Sequence, residues 1–196
     1  MSVILPSWPA PKEIVPRLFV TGGLQTTATE SDDNWLDRLG SRYSVDFTMR
    51  PMTYDQAAEW SDLEETGANV VMPLRQPGVE FVSAGSPTVD GSGQSGSNIA
   101  LKGLTPYFVI RRRQWLPIIT GGQRYCYRAK AEVIADASGD VVVPIRPMLR
   151  KPHLNNDVVE IDSPKIEGIA TLSEDAWGIQ ASDRHIYLAF TIRERA

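Results

Sequence analysis

Few residues in this chain have a type and spacing that could do chemistry, and each has a plainer structural explanation beside it. Cys126 is the only cysteine, and His153 and His185 are the only histidines. A reactive thiolate needs a neighbouring base, a cation or a helix N-terminus to lower its pKa. Cys126 instead stands between Tyr125 and Tyr127 in an alternating strand-like run. One cysteine and two isolated histidines cannot form an internal disulfide or supply the ligand set of a structural zinc. His153 opens a polar stretch rich in Asn and Asp and reads as a surface residue, and His185, next to Arg184, as a strand-edge residue.

Gly91-Ser92-Gly93-Gln94-Ser95-Gly96 has the spacing of a dinucleotide-binding glycine fingerprint. That motif works only between a strand and a helix, where the glycines let a pyrophosphate reach the helix N-terminus. Here the following residues, Ser97 to Leu104, read as a strand, so the segment is a glycine-rich loop. No serine lies in a Gly-x-Ser-x-Gly elbow. Asp55, Glu59, Asp62, Glu64 and Glu65 would form an acidic, solvated helix face. Arg111, Arg112 and Arg113 are consecutive, and on a strand they cannot all point one way. With Trp8 on the proline-rich N-terminal stretch, these arginines are the candidate residues for an assembly interface. No catalytic, cofactor-binding or metal-binding residue is assigned.

The elements that position these residues read mainly as β. Hydrophobic residues at 42% and charged residues at 22% of 196 are enough to build a core, and the net charge of −4 gives no global attraction to nucleic acid or anionic lipid. Pro6, Pro9, Pro11 and Pro16 make the opening an extended arm without the cationic and apolar signature of a signal peptide, so cytosolic synthesis is expected. Tyr43, Val45, Phe47 and Met49 alternate with polar residues over 42–49, the period of a half-buried strand. The run Trp35 to Leu39, interrupted by Gly40, reads as a bulged strand leading into it, with one helical turn ended by Gly40 as the alternative. Thr53 and Gln56 have capping-box spacing, which predicts one helix over about 53–66 with Ala57, Trp60 and Leu63 facing a sheet.

Pro77 to Gly96 is rich in Gly, Ser and Pro and reads as a linker or large surface loop. Beyond it, 114–149 reads as an antiparallel meander. Gly121-Gly122 makes a hairpin turn, and 136–140 makes the next. Between the two turns, Tyr125, Tyr127, Ala129, Ala131 and Val133 are expected on a buried face, with Cys126, Arg128, Lys130 and Glu132 on a more exposed one. The last strand places Ile186, Leu188, Phe190 and Ile192 in one row. The expected fold is mainly β, with antiparallel β-barrel or sandwich units and one α-helix. A discontinuous β domain of 1–76 plus 165–196 would carry the helix and be interrupted by an inserted barrel-like domain of 77–164.

Several segments together resemble tail proteins of long-tailed, siphovirus-like bacteriophages. They are Leu5-Pro6-x-Trp8-Pro9, the run Asp37-Arg38-Leu39-Gly40-Ser41-Arg42-Tyr43, Gln114-Trp115-Leu116, Tyr125-x-Tyr127-Arg128, Asp136-Ala137-Ser138-Gly139, and 143–150, VPIRPMLR. The resemblance is to distal tail and tail-tip structural proteins. It implies a β-barrel-like subunit of a ring, often a hexamer, that joins the tail tube to the tip or baseplate hub. It also implies a structural role in the virion tail after synthesis in the bacterial cytoplasm, not an enzyme, with no cofactor. The implied partners are further copies of itself, the tail-tube protein and the tail-tip hub protein, with no nucleic acid and no membrane. The chain is short for a distal tail protein bearing a large carbohydrate-binding extension. The alternative reading is a carbohydrate- or protein-binding β module for host recognition, using Trp115 or the tyrosines.

Overall fold

A computed structural model describes residues 2–26, 33–64, 67–76, 83–174, 176–180 and 185–195. In chain order the N-terminal part holds β1 (Val3–Ile4), β2 (Glu13–Phe19), β3 (Gly22–Thr26), β4 (Asp33–Asp37) and β5 (Arg42–Thr48), followed by α1 (Tyr54–Ala58) and β6 (Asn69–Pro73). The middle holds β7 (Gly85–Val89), β8 (Asn98–Leu104), β9 (Val109–Ile110), β10 (Trp115–Thr120), β11 (Gln123–Ala129), β12 (Val133–Ile134), β13 (Val141–Arg146) and β14 (Val158–Val159). β15 (Lys165–Leu172), β16 (Gly178–Gln180), β17 (His185–Tyr187) and β18 (Ala189–Glu194) complete the chain. The fold is thus mainly β with one α-helix, as its alternating runs predict.

Two bodies of β-structure result. A six-stranded sheet, ordered β1-β6-β15-β18-β5-β2, combines strands from both ends of the chain, and β10-β11-β13-β8-β7-β14 close into a barrel. The sheet buries Tyr43, Val45, Phe47 and Met49 from β5 and its extension, together with Phe190 and Ile192 from β18. Phe47 and Phe190 stack with centroids 5.2 Å apart, and Leu188 is also buried.

The helix expected over 53–66 is shorter. α1 ends at Ala58, and a 3-10 turn, Ser61–Leu63, follows; residues 65 and 66 lie outside the described set. The reason is the spacing of the apolar residues. Ala57, Trp60 and Leu63 are three apart and all buried, and a helix with three residues per turn stacks such positions in one row against the sheet. The Trp60 and Leu63 N–H groups accordingly donate to carbonyls three residues back, at 2.9 and 3.0 Å. At the start of α1, Gln56 accepts from the Thr53 N–H at 3.1 Å, the backward half of the expected capping box.

Part of the expected Pro77 to Gly96 loop is a barrel strand. Residues 77–82 lie outside the described set, but β7 runs along β8 with a register shift between Gly85 and Thr88. A Cβ on Gly85 would lie 2.9 Å from the Gly103 carbonyl oxygen, and one on Gly103 would lie 2.7 Å from that of Ser86. The glycines therefore serve a close-approaching bulged pair, a use that composition alone does not separate from a loop. Gly91 to Gly96 does form a loop before β8. It is held by Gln94, which donates to the Asp90 carbonyl at 2.6 Å and accepts from the Ala100 N–H at 2.7 Å.

β11 also departs from expectation. It ends at Ala129, and Ala131 is exposed at a bend, while β12 leaves the barrel to pair with β9. Within β11 both faces are covered. Tyr125, Tyr127 and Ala129 enter the barrel core, whereas Cys126 joins Trp115 in the core under the sheet. Cys126 is fully buried and Arg128 half-buried; of the face expected to be open, only Lys130 and Glu132 are exposed. The reason is that β10 and β11 are party walls between the two cores.

Candidate functional site

The contact between sheet and barrel is built from charged residues, and its two ends differ. At one end Glu194, the last residue of β18, is buried and accepts from the backbone N–H groups of Tyr43 and Cys126, each at 2.6 Å. Arg150, after β13, donates to the same carboxylate at 2.8 Å and to the Arg195 carbonyl at 3.2 Å. One side chain thereby ties β5, β11 and β18 to the segment leaving the barrel. Burial pushes the Glu194 carboxyl upward from its ordinary value, and Arg150 with the two N–H donors opposes the rise. A second network joins Arg124 of β11 to Glu160 at 2.9 Å and to Glu167 of β15 at 3.4 Å, and the hydrogen bond to Glu160 leads the rise in the Arg124 pKa.

At the other end lies an open cleft of about 770 Å³. It forms where the chain leaves the sheet after β6 and returns before β15, two crossings joined by the Leu74 N–H donating to the Pro164 carbonyl at 2.8 Å. Apolar walls come from Ile14, Pro16, Pro73, Leu74, Ile161 and Pro164. Trp115 and Arg128 reach it from the barrel, paired across β10 and β11, and the guanidinium carbon lies 3.7 Å from the Trp115 ring centroid. Trp115 in turn meets the Tyr43 ring edge-on at 4.7 Å. Burial lowers the Arg128 pKa, and among the described residues no carboxylate pairs with it. Among the described residues, the Nε of Arg128 and the Nε2 of Gln76, both lining the cleft, are buried donors without an acceptor, as is the Nε of Arg150 at the Glu194 end.

Inside the barrel is a third polar group. His153, expected at the surface, is completely buried, with its ring edge-on to Tyr125 and Tyr127 at 5.8 and 5.6 Å. Its Nδ1 lies 2.6 Å from Thr120 Oγ1, its Nε2 lies 3.1 Å from the Tyr127 hydroxyl, and Thr120 also bonds Asp157. Donor accounting gives one direction along the chain. The Arg150 N–H donates to the Tyr127 oxygen, Tyr127 to Nε2, the Nδ1 proton to Thr120, and Thr120 to the Asp157 carboxylate. A neutral imidazole satisfies every link, and burial accordingly pulls the His153 pKa down to about 4. The misreading arose because Asn155, Asn156 and Asp157 mark a turn, while the histidine just ahead of it points inward.

The other residues singled out by sequence are dispersed. Trp8 is 63% exposed on the arm. Arg111, Arg112 and Arg113 are exposed in a turn between β9 and β10, not on a strand, and Arg113 has φ +70°. Trp115, Tyr125 and Tyr127 are buried, and of the middle unit's tyrosines Tyr107, 67% exposed, is the one with an open ring face. Burial raises the Cys126 thiol well above its ordinary pKa, with Glu194 adding to the effect, and holds it protonated. No histidine, cysteine or carboxylate cluster among the described residues is arranged to hold a metal ion, and no helix among them is long and apolar enough to cross a membrane. Neither a family model nor a curated protein matches the chain.

Proposed function

We propose that the protein is a virion structural protein of a phage tail tip, a subunit of a ring that connects the tail tube to the tip hub. The observation that carries this reading is the sheet's pair of unlike edges, each unpaired among the described residues. β2 ends the sheet on one side with Val15 and Phe19 exposed, and β1, only two residues long, ends it on the other with Ile4 exposed and Trp8 just beyond. An unpaired strand edge flanked by apolar side chains is a template for another chain. When two different edges of one sheet meet, the contact is head-to-tail, the kind that generates closed rings. The segments resembling tail-tip proteins include this arm and the lead into β5.

Native mass spectrometry and negative-stain images test it. A ring, alone or with tail-tube protein, is expected, and Val15→Lys with Phe19→Lys on β2 should reduce it to monomers, because charge on an edge strand opposes pairing. A monomer under both conditions would overturn the reading. Replacing Arg111, Arg112 and Arg113 by Ala asks whether that turn shares the contact, and an unchanged assembly would remove it from the interface. The cleft specifically favours a second reading, a protein-binding β module.

A further inference from the structure

We infer that the sheet–barrel cleft is a binding site for an extended, acidic peptide segment, with Arg128 receiving a carboxylate and Gln76 a backbone carbonyl. The inference stands apart from ring formation and starts from unmet hydrogen bonds. A buried donor without an acceptor carries a desolvation cost that a ligand acceptor removes. Two such donors, Arg128 Nε and Gln76 Nε2, line the same cleft. The Arg128 guanidinium is already placed by stacking on Trp115, so its planar fork is set for a carboxylate before any ligand arrives.

Charge and shape narrow the ligand further. The described cationic lining residues are Lys12, Arg75 and Arg128, and the acidic one is Asp162. Asp162 is already engaged, accepting from the Ala84 N–H at 2.8 Å and the Ser83 hydroxyl at 3.2 Å, so its carboxylate does not answer Arg128. A cleft of 770 Å³ is far larger than a free carboxylate such as acetate fills, and Ile14, Leu74, Ile161 and the surrounding prolines offer apolar walls to the rest of a chain. Ile14 and Pro16, alternate residues of β2, place one apolar wall of the cleft on the sheet.

The test uses the full chain, immobilised, and a pool of acetylated, amidated pentapeptides with a fixed central Glu and randomised flanks, read by mass spectrometry against a matching pool with central Gln. The Glu pool should be retained at least about tenfold better. Arg128→Met should abolish the difference, Arg128→Lys should reduce it because an ammonium lacks the fork, and Arg112→Met, outside the cleft, should leave it unchanged. Circular dichroism of each variant separates lost binding from lost folding. Equal retention of the two pools, or full retention by folded Arg128→Met, would overturn the proposal. So would glutarate displacing the retained peptides at equal concentration, since the site would then belong to a small carboxylate. A monomeric protein that retains the Glu pool would refute the ring reading and leave this one standing.

Discussion

Arg150 and Arg128 both lie over aromatic rings where sheet meets barrel, Arg150 at 5.2 Å from the Tyr125 centroid and Arg128 at 3.7 Å from that of Trp115. Arg150 meets Glu194 at 2.8 Å, whereas Arg128 meets no carboxylate among the described residues. Desolvating a guanidinium is costly unless a partner and further hydrogen bonds offset it. The Glu194 end supplies the counter-charge inside the chain, with only the Nε of the Arg150 guanidinium left without an acceptor, and holds the two bodies together. The cleft end supplies none among the described residues, and an unsatisfied charge fixed on a ring is suited to receiving something from outside.

The largest effect is expected where the contact is closed. Glu194→Ala removes the acceptor of Arg150 and of the Tyr43 and Cys126 N–H groups and should destabilise the protein by about 3 kcal/mol in urea denaturation. Adding Arg150→Met should recover the part of that loss that comes from the unpaired guanidinium, while the two N–H groups stay without their acceptor. Cys126 supplies an independent readout, because its thiol lies beside the carboxylate and donates to the Lys165 carbonyl at 3.4 Å. Native Cys126 should react with Ellman's reagent at least about a hundredfold more slowly than in urea, and Glu194→Ala should speed that reaction. A loss under 1 kcal/mol with unchanged thiol protection would place the closure elsewhere and dissolve the contrast between the ends.

The next effect comes from the barrel interior. With His153 at about 4 in the folded protein and the unfolded value near 6.5, the unfolded chain binds the proton first as pH falls. Stability from the neutral histidine is therefore complete above pH 6.5 and is lost between there and pH 4, by about 2 kcal/mol from pH 7 to pH 5. Glu194 works the other way, because its raised pKa favours the folded state as pH falls. The comparison of wild type with His153→Gln isolates the histidine: the variant should lose about 2 kcal/mol less over that interval. Parallel pH dependence in the two would show that the imidazole titrates freely in the folded state.

What could be read in advance follows the reach of each signal. Alternation is local, so the β5 row Tyr43 to Met49 and the turn at Asp136, whose carboxylate accepts from the Ser138 and Asp140 N–H groups at 2.8 and 2.9 Å, were legible. Alternation also assumes that one face of a strand is wet. Cys126 breaks that assumption because Glu194, far along the chain, brings the sheet core against β11. The cleft was illegible for the same reason. Gln76 and Arg128 share it only because two chain crossings converge there, and an arginine's lack of a partner is a property of the assembled surroundings. The signal present was the cross-strand placement of Trp115 and Arg128, which requires the hairpin register at Gly121-Gly122.

The smallest effect on stability, and the sharpest on the comparison, is expected from Arg128→Met. The Met side chain keeps an apolar stem against Trp115 while removing a half-buried charge that no carboxylate among the described residues offsets. Loss of the cation–π contact, worth about 0.5–2 kcal/mol, is opposed by relief of the desolvation that lowers the Arg128 pKa. The two terms have opposite signs and similar size, so the net change in urea should stay within about 1 kcal/mol. Binding of the Glu-bearing pool, by contrast, should be lost in the same samples. If Arg128→Met instead costs as much as Glu194→Ala, the guanidinium is a structural tie like Arg150, and the two ends of the contact are alike.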